Sequence, residues 1–193
     1  MAKITIAEMK KQLKRISDRV SEKFILIGGL AVNQYVITRN SHDIDLICDY
    51  EEAIDIIKNV YPSSEWNHYE INEDEYRPSY NIKHKRNDKY PIVKFGPKII
   101  ERGGYDFLNW DLLSENAISF KYKGQSLENI LVPTIEALCY TKIVSFLGRD
   151  IKNKNKLRQD LSDIKDLTNN DNFKFNLLLN LRATCIFPQK QLI

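Results

Sequence analysis

Apolar residues recur along this chain with two periods, one typical of helices and one typical of strands. Spacing of three or four residues, which predicts helices, occurs in the segments 6–20, 50–60, 134–148, 157–167 and 173–181. Short apolar or alternating runs, which predict strands, occur in the segments 24–27, 79–85, 89–95, 118–122 and 130–132. The pattern predicts an α+β domain in residues 1–130, with an N-terminal amphipathic helix and a mixed sheet flanked by helices. A small helical unit is expected in residues 131–193.

The stretch 24–49 combines a strand, a glycine turn, a helix and a second strand. The apolar run at 24–27 is followed by Gly28-Gly29, a helix-like segment at 30–37 and a polar turn that leads to Asp43. Glycine has no Cβ, so the chain can turn tightly here and approach a ligand closely. Amide groups at the start of a helix favour anions. The pattern predicts a phosphate-binding turn, although a glycine pair alone is also typical of an ordinary turn.

Asp43 and Asp45 stand two residues apart on the second of these strands. Side chains with this spacing project from the same face of a strand. Two neighbouring carboxylates repel each other unless a proton or a cation lies between them, and oxygen ligands of this kind suit Mg²⁺. The pair therefore predicts a metal site facing the glycine turn. An Asp-X-Asp sequence at a strand edge is also typical of a solvated turn.

The composition is that of an ordinary globular protein. Of the 193 residues, 42% are hydrophobic and 28% are charged, and the formal net charge is +3. This charge argues against a strongly basic nucleic-acid-binding module, although a local basic groove remains compatible with it. The length suits one domain, or a domain with a helical appendage.

Targeting signals and disulfide patterns are not evident in the sequence. The first residues carry charges every few positions, unlike a signal peptide, and no apolar stretch approaches the roughly 20 residues that cross a bilayer. Cys48, Cys139 and Cys185 stand far apart in apolar surroundings, which favours buried reduced thiols. We expect a cytoplasmic protein without membrane segments.

The central stretch resembles the signature of the polymerase-β-like nucleotidyltransferase superfamily, which joins a glycine turn, a short helix and Asp-X-Asp on the next strand. Its motifs are Gly28-Gly29-Leu30-Ala31, Arg39-Asn40-Ser41 and Asp43-Ile44-Asp45. This order is similar to that of the AbiEii-type bacterial nucleotidyltransferases, which are toxins of toxin-antitoxin and abortive-infection systems.

A second group of motifs extends the resemblance toward the C-terminus. AbiEii-type enzymes carry a Val-Pro-Ser-like segment, a helix with a lysine and a following arginine, and a run with aspartates three residues apart. The corresponding residues here are Val132-Pro133-Thr134, Lys142, Arg149, Asp160, Asp163 and Asp166. Lys142 lies among apolar neighbours, so its charge needs a partner, which a bound nucleotide or Asp163 would supply. A lysine that reaches the surface beside solvated aspartates is the alternative.

The resemblance implies an enzyme that moves an NMP group from an NTP to an acceptor hydroxyl. Asp43 and Asp45 would be catalytic and would bind Mg²⁺, with Mn²⁺ as a substitute. The residues implied in nucleotide binding are Gly28, Gly29, Leu30, Arg39, Ser41, Lys142 and Asp163. The acceptor would be a tRNA, a protein or a small molecule, and an antitoxin protein would be a partner.

Two departures from the superfamily pattern leave an alternative open. The superfamily usually supplies a third carboxylate from a later strand, where this chain has Val93 and Lys94. Asp106 or Asp111 is a candidate replacement. Leu30 stands where a hydroxyl residue is usual. A catalytically impaired protein of the same fold, which binds a nucleotide or a partner, is therefore the second hypothesis.

Overall fold

The computed structural model describes residues 4–36, 41–72, 78–102 and 105–184. Arg39 lies outside these ranges, and so do Asn40 and Cys185. The described helices are α1 (Ile6–Ser17), α2 (Gly28–Val32), α3 (Tyr50–Val60), α4 (Trp110–Glu115), α5 (Ile135–Leu147), α6 (Lys154–Thr168) and α7 (Phe175–Thr184). The described strands are β1 (Phe24–Ile27), β2 (Asp43–Ile47), β3 (Trp66–Asn72), β4 (Pro78–His84), β5 (Ile92–Gly96), β6 (Ile99–Arg102), β7 (Tyr105–Asn109), β8 (Ala117–Tyr122) and β9 (Gln125–Pro133).

Seven of the described strands form one mixed sheet in the order β3-β4-β5-β2-β1-β9-β8. Strand β1 runs antiparallel to β2 and parallel to β9, and β2 runs parallel to β5. The remaining neighbours in this sheet are antiparallel. Strands β6 and β7 form a separate antiparallel pair. The register places Asp45 of β2 between Ile27 of β1 and Lys94 of β5.

A continuous apolar core joins the large sheet to helices from both ends of the chain. Helix α1 buries Met9, Leu13 and Ile16, and its first turn is capped by Thr5, whose Oγ1 accepts a hydrogen bond from the Glu8 amide at 3.2 Å. The same cluster contains Leu138 of α5, so the C-terminal helices pack on the sheet. Burial of apolar surface on this scale is the main source of folding stability.

Helix α5 is enclosed on most of its surface, which explains its mainly apolar sequence. It packs against α6 and α7, and Thr134 caps its first turn. Lys142 nevertheless lies in the middle of this buried helix. None of the described helices combines the length and the hydropathy that a membrane span requires.

The α+β fold class is confirmed, with a mixed sheet between helices. The helix predicted at 30–37 is wrong in its bounds, because α2 begins at Gly28 and ends at Val32. The Asn33 amide then hydrogen-bonds to the Gly29 carbonyl at 3.1 Å and a turn follows. The proposed division of the chain at residue 130 falls inside β9 and stays a prediction.

Candidate active site

Asp43 and Asp45 lie on the same face of β2, as their spacing predicts. Ile44 and Leu46 alternate with them and are buried in the core, which directs the two carboxylates to the opposite face. There they line a cleft of about 460 Å³. The described residues on this wall of the cleft are Ile27, Gly28, Gly29, Asp43, Asp45 and Lys94.

Gly28 allows the glycine turn and the acidic pair to come into contact. Its φ angle is +71°, a conformation that residues with a Cβ rarely adopt. A Cβ at this position would overlap Oδ2 of Asp45. The glycine is therefore required both by the backbone conformation and by the close approach of Asp45. Helix α2 has only five residues, so the turn contributes space and backbone amides more than a helix dipole.

Lys94 projects its ammonium group between the two carboxylates. Its Nζ lies 2.5 Å from Oδ2 of Asp43 and 3.9 Å from Oδ1 of Asp45. The contact follows from the register, since Lys94 is directly opposite Asp45 on the parallel strand β5. The ammonium thus compensates part of the repulsion between the aspartates.

Burial and charge shift the pKa values of two of these groups. Desolvation by burial, together with the charge of Asp43, raises the pKa of Asp45 from its usual 3.8 to about 6, although Lys94 and Lys142 act in the opposite direction. Burial acts against the charge of Lys94, but the neighbouring carboxylates of Asp45 and Asp43 outweigh it and raise the pKa of Lys94 above its usual value. Lys94 is therefore charged at neutral pH, and Asp45 is readily protonated in mild acid.

The opposite wall of the cleft is formed by α5, α6 and the segment between them. Its described residues are Thr141, Lys142, Ser145, Arg149, Asn153, Lys156, Gln159 and Asp160. Lys142 Nζ lies 2.7 Å from Oδ2 of Asp163 and 3.7 Å from Oδ1 of Asp160. Arg149 Nε donates to Oδ2 of Asp160. This buried network holds the Lys142 ammonium against the cleft.

The sequence-predicted site residues do not all reach the cleft. Gly28, Gly29, Asp43, Asp45 and Lys142 line it. Asp163 lies behind Lys142 as its ion-pair partner. The Leu30 side chain belongs to the apolar core, and Ser41 is buried, with its Oγ donating to the Asp43 carbonyl at 3.0 Å. Arg39 lies outside the described residues. The proposed roles of these residues in nucleotide binding stay predictions.

No third carboxylate joins Asp43 and Asp45 among the described residues of the cleft wall on the sheet, where Lys94 lies beside them. The described part of the chain contains no cluster of three or more His, Cys, Asp or Glu side chains that could hold a metal ion. Asp111 is exposed and is absent from the described lining of the cleft. The side chain of Asp106 is not among the described side chains. Strand β5 therefore presents a cation, Lys94, on the strand where the superfamily pattern usually has an acid.

Several residues of the helical wall were not predicted from the sequence. Thr141 and Ser145 are polar residues four positions apart in an otherwise apolar helix, and this spacing was the available signal. Lys156 and Gln159, three residues apart on α6, also line the cleft. Their sequence context is generally polar, so they carry no distinguishing pattern. The two walls together bring carboxylates and ammonium groups to one cleft beside a glycine turn, an arrangement that suits a metal-bound polyphosphate.

The fold of the chain is that of nucleotidyltransferases. No protein-family model and no curated protein shows a significant match to the sequence. Three solved structures of this class nevertheless superpose over most of their length, and because all are at most 20% identical, they show the fold alone. The mixed sheet and its flanking helices are thus shared, as the resemblance to the polymerase-β-like superfamily implied.

The first of these structures is the lincosamide antibiotic adenylyltransferase LnuA with lincomycin bound, with a TM-score of 0.56, 18% identity and coverage of 87% of this chain and 99% of LnuA. The second is ANT(2'')-Ia in complex with adenylyl-2''-tobramycin, with a TM-score of 0.50, 14% identity and coverage of 91% and 95%. The third is TM1012 of Thermotoga maritima, assigned as a nucleotidyltransferase, with a TM-score of 0.53, 20% identity and coverage of 83% and 97%.

Proposed function

We propose that this protein is a nucleotidyltransferase that moves an NMP group from an NTP to an acceptor hydroxyl. The observation that carries the proposal is the placement of Asp43 and Asp45 beside Gly28, on one wall of a cleft whose other wall presents the Lys142 ammonium. The nucleotidyltransferase fold of the solved neighbours supports the same reaction class.

The donor set on β2 fits a divalent cation. Mg²⁺ is usually bound through one or two carboxylates together with substrate phosphates and water. Asp43 and Asp45 supply two carboxylates on one face, and the lack of a side chain at Gly28 lets the Asp45 carboxylate lie against the glycine turn. These residues would hold Mg²⁺, with Mn²⁺ as a substitute, and the ion would supply positive charge to the phosphate oxygens.

The chain's own residues would position the nucleotide and neutralise its charge. Gly28 and Gly29 allow the phosphates to approach the backbone closely. Lys142 offers a fixed ammonium against the triphosphate, held by Asp163 at 2.7 Å. The acceptor hydroxyl would attack the α-phosphorus, its proton would be released to water, and the bond to the leaving pyrophosphate would break. Positioning and electrostatics would account for most of the acceleration.

The acceptor is proposed from the neighbours and from the sequence resemblance. The LnuA structure is that of an adenylyltransferase with lincomycin bound, and the ANT(2'')-Ia structure contains adenylyl-2''-tobramycin. Because both involve an adenylyl group and an antibiotic, ATP is the first donor to test and a hydroxylated small molecule is one class of acceptor. The resemblance to AbiEii-type enzymes, through the motifs that include Arg39 and Lys142, also allows a tRNA or a protein acceptor. In that case the protein would be a cytoplasmic toxin, and the gene beside its own would encode the antitoxin.

The proposal is tested by incubating the purified protein with Mg²⁺, each of the four NTPs labelled at the α-phosphate, and three acceptor pools: bulk tRNA, cell protein, and hydroxylated antibiotics including lincomycin and tobramycin. We expect label in one pool, and its loss in Asp45→Ala. Lys121→Ala is the matched control, because it removes a charge from β8, which carries none of the described cleft residues. Absence of label from every pool would contradict the proposal.

Lys94 favours one alternative, a nucleotide-binding or partner-binding protein of the same fold with impaired catalysis. A cation directly opposite Asp45 replaces an acid that a two-metal mechanism would use. The same labelled NTPs, measured by filter binding, separate the two functions. Tight NTP binding without transfer would favour the impaired protein, whereas transfer that depends on Asp45 would exclude it.

A further inference from the structure

Lys94 occupies the space between two carboxylates that would otherwise attract a cation from solution. Its ammonium lies 2.5 Å from Asp43 and 3.9 Å from Asp45. The Lys94 side chain is 38% exposed, and the two aspartates are 30% and 28% exposed, so all three are accessible from the cleft. A small ion that binds between the two carboxylates therefore competes with this ammonium.

We propose that Lys94 is an internal cation of the acidic site, whose ammonium occupies a divalent-ion position between Asp43 and Asp45 and competes with the ion for it. The proposal rests on the contacts of Lys94 and on its register opposite Asp45 in β5. It rests on the proposed function and deepens it by assigning Lys94 a role in metal binding at the same site. The ammonium of Lys94 also compensates the charges of Asp43 and Asp45 when no metal ion is bound, on a strand where the superfamily pattern usually has a third acid.

The displaced ammonium has an acceptor on the next strand. Asn81 lies directly opposite Lys94 on β4 and is 1% exposed. Among the described residues its Oδ1 has no hydrogen-bond partner, whereas its Nδ2 donates to Ser79 Oγ at 3.2 Å. Side chains directly opposite each other on paired strands share a face. This buried oxygen, on the same face as Lys94, is the acceptor that we assign to the ammonium when an ion displaces it from Asp43.

The test is a Mn²⁺ titration of the full chain without nucleotide, in which the EPR signal of free Mn²⁺ is measured. We expect Lys94→Met to lower the Kd for Mn²⁺ at least tenfold relative to the wild type, because the competing charge is removed. Lys94→Asp, which adds a third carboxylate, should bind at least as tightly as Lys94→Met. Equal Kd values for wild type and Lys94→Met would overturn the proposal.

Lys98→Met is the matched control. Lys98 is also a lysine paired with an aspartate, with its Nζ 2.9 Å from Asp49 Oδ2 and its side chain 41% exposed. We expect its Kd to equal that of the wild type. If Lys98→Met lowers the Kd for Mn²⁺ as much as Lys94→Met does, the effect is one of net charge and the proposal is overturned. The proposal is also overturned if the tighter binding of Lys94→Met persists when Asp43→Asn is added.

A double-mutant cycle tests the part assigned to Asn81. We expect Asn81→Ala to weaken Mn²⁺ binding several-fold in the wild-type background and to have no effect in Lys94→Met, where no ammonium needs an acceptor. Equal effects in both backgrounds would refute this part. The titration needs no turnover, so a gain in Lys94→Met together with absent label transfer would reject the proposed enzyme while supporting the internal cation.

Discussion

Gly28 is constrained twice, by its backbone conformation and by its contact with Asp45, and the two constraints can be measured separately. Gly28→Ala adds a Cβ at a φ of +71° and against the Asp45 carboxylate. Gly124→Ala is the matched control, because its φ is +81° but nothing lies within 4 Å of the added Cβ. We expect Gly28→Ala to lower the free energy of unfolding by about 1–3 kcal/mol more than Gly124→Ala, which is the usual cost of overpacking.

Urea denaturation of the two variants measures this difference. Gly28→Ala should also weaken Mn²⁺ binding, since the Asp45 carboxylate must move away from the added methyl group. Gly124→Ala should bind Mn²⁺ like the wild type. If the two variants lose the same stability and bind Mn²⁺ equally well, the close approach of Gly28 to Asp45 is incorrect.

Asp45 makes stability depend on pH in the direction opposite to that of most acids. Its pKa is raised from 3.8 to about 6 in the folded chain. Between these two pKa values the folded state therefore binds more protons than the unfolded state. The contribution of Asp45 to folding stability is thus fully present below pH 3.8 and is lost as the pH rises through about 6. Without metal, Asp45 should destabilise the protein at neutral pH.

We accordingly expect Asp45→Asn to be more stable than the wild type above pH 6. The difference between the two pKa values corresponds to about 3 kcal/mol, and the partial exposure of the side chain reduces the expected gain to about 1–2 kcal/mol. Urea denaturation at pH 4 and pH 8 in EDTA measures it. A variant that gains nothing at pH 8 relative to pH 4 would contradict the raised pKa.

At the scale of secondary-structure elements, α5 and α6 are joined by a buried ion-pair network. Lys142 and Asp163 have side chains that are 8% and 3% exposed, and their charges lie 2.7 Å apart. Removing one partner of a buried pair typically costs about 3–5 kcal/mol. Because Asp160 also lies 3.7 Å from Lys142 and retains part of the compensation, we expect Asp163→Ala to cost about 2–4 kcal/mol.

Thermal or urea unfolding of Asp163→Ala measures this cost, with Asp171→Ala as the control. Asp171 is an exposed residue just after α6, and its loss should change stability by less than about 0.5 kcal/mol. If both variants are equally stable, the network does not join α5 to α6.

The elements of the site were predictable where the signal is local in the sequence. Asp43 and Asp45 required only the period of a strand, and Lys142 was conspicuous as a charge in an apolar helix. The contact of Lys94 with Asp43 was not predictable, because it depends on how β5 pairs with β2, a strand distant in the chain. Register between distant strands is determined by packing of the whole sheet.

At the scale of the whole molecule, the sequence pattern predicted the α+β class and a metal site facing the glycine turn, but not the docking of α5 and α6 that forms the second wall of the cleft. The cleft exists because α5 and α6 return to the sheet beside β1 and β2, and this packing brings Lys156 and Gln159 opposite the acidic pair. Periodicity describes each helix separately and carries no information on where it docks. In the structure, strand β9 pairs in parallel with β1 and leads directly into α5. This pairing determines where α5 packs on the sheet.

The central claim is that the cleft transfers a nucleotidyl group, and paired isotope labels test it most directly. The protein is incubated with Mg²⁺, the active acceptor pool, and ATP labelled either at the α-phosphate or at the γ-phosphate. We predict that the α-label enters the acceptor and that the γ-label appears in an equal amount of pyrophosphate, with both signals lost in Asp45→Ala. Transfer of the γ-label to the acceptor, or release of both labels without any product, would contradict the claim.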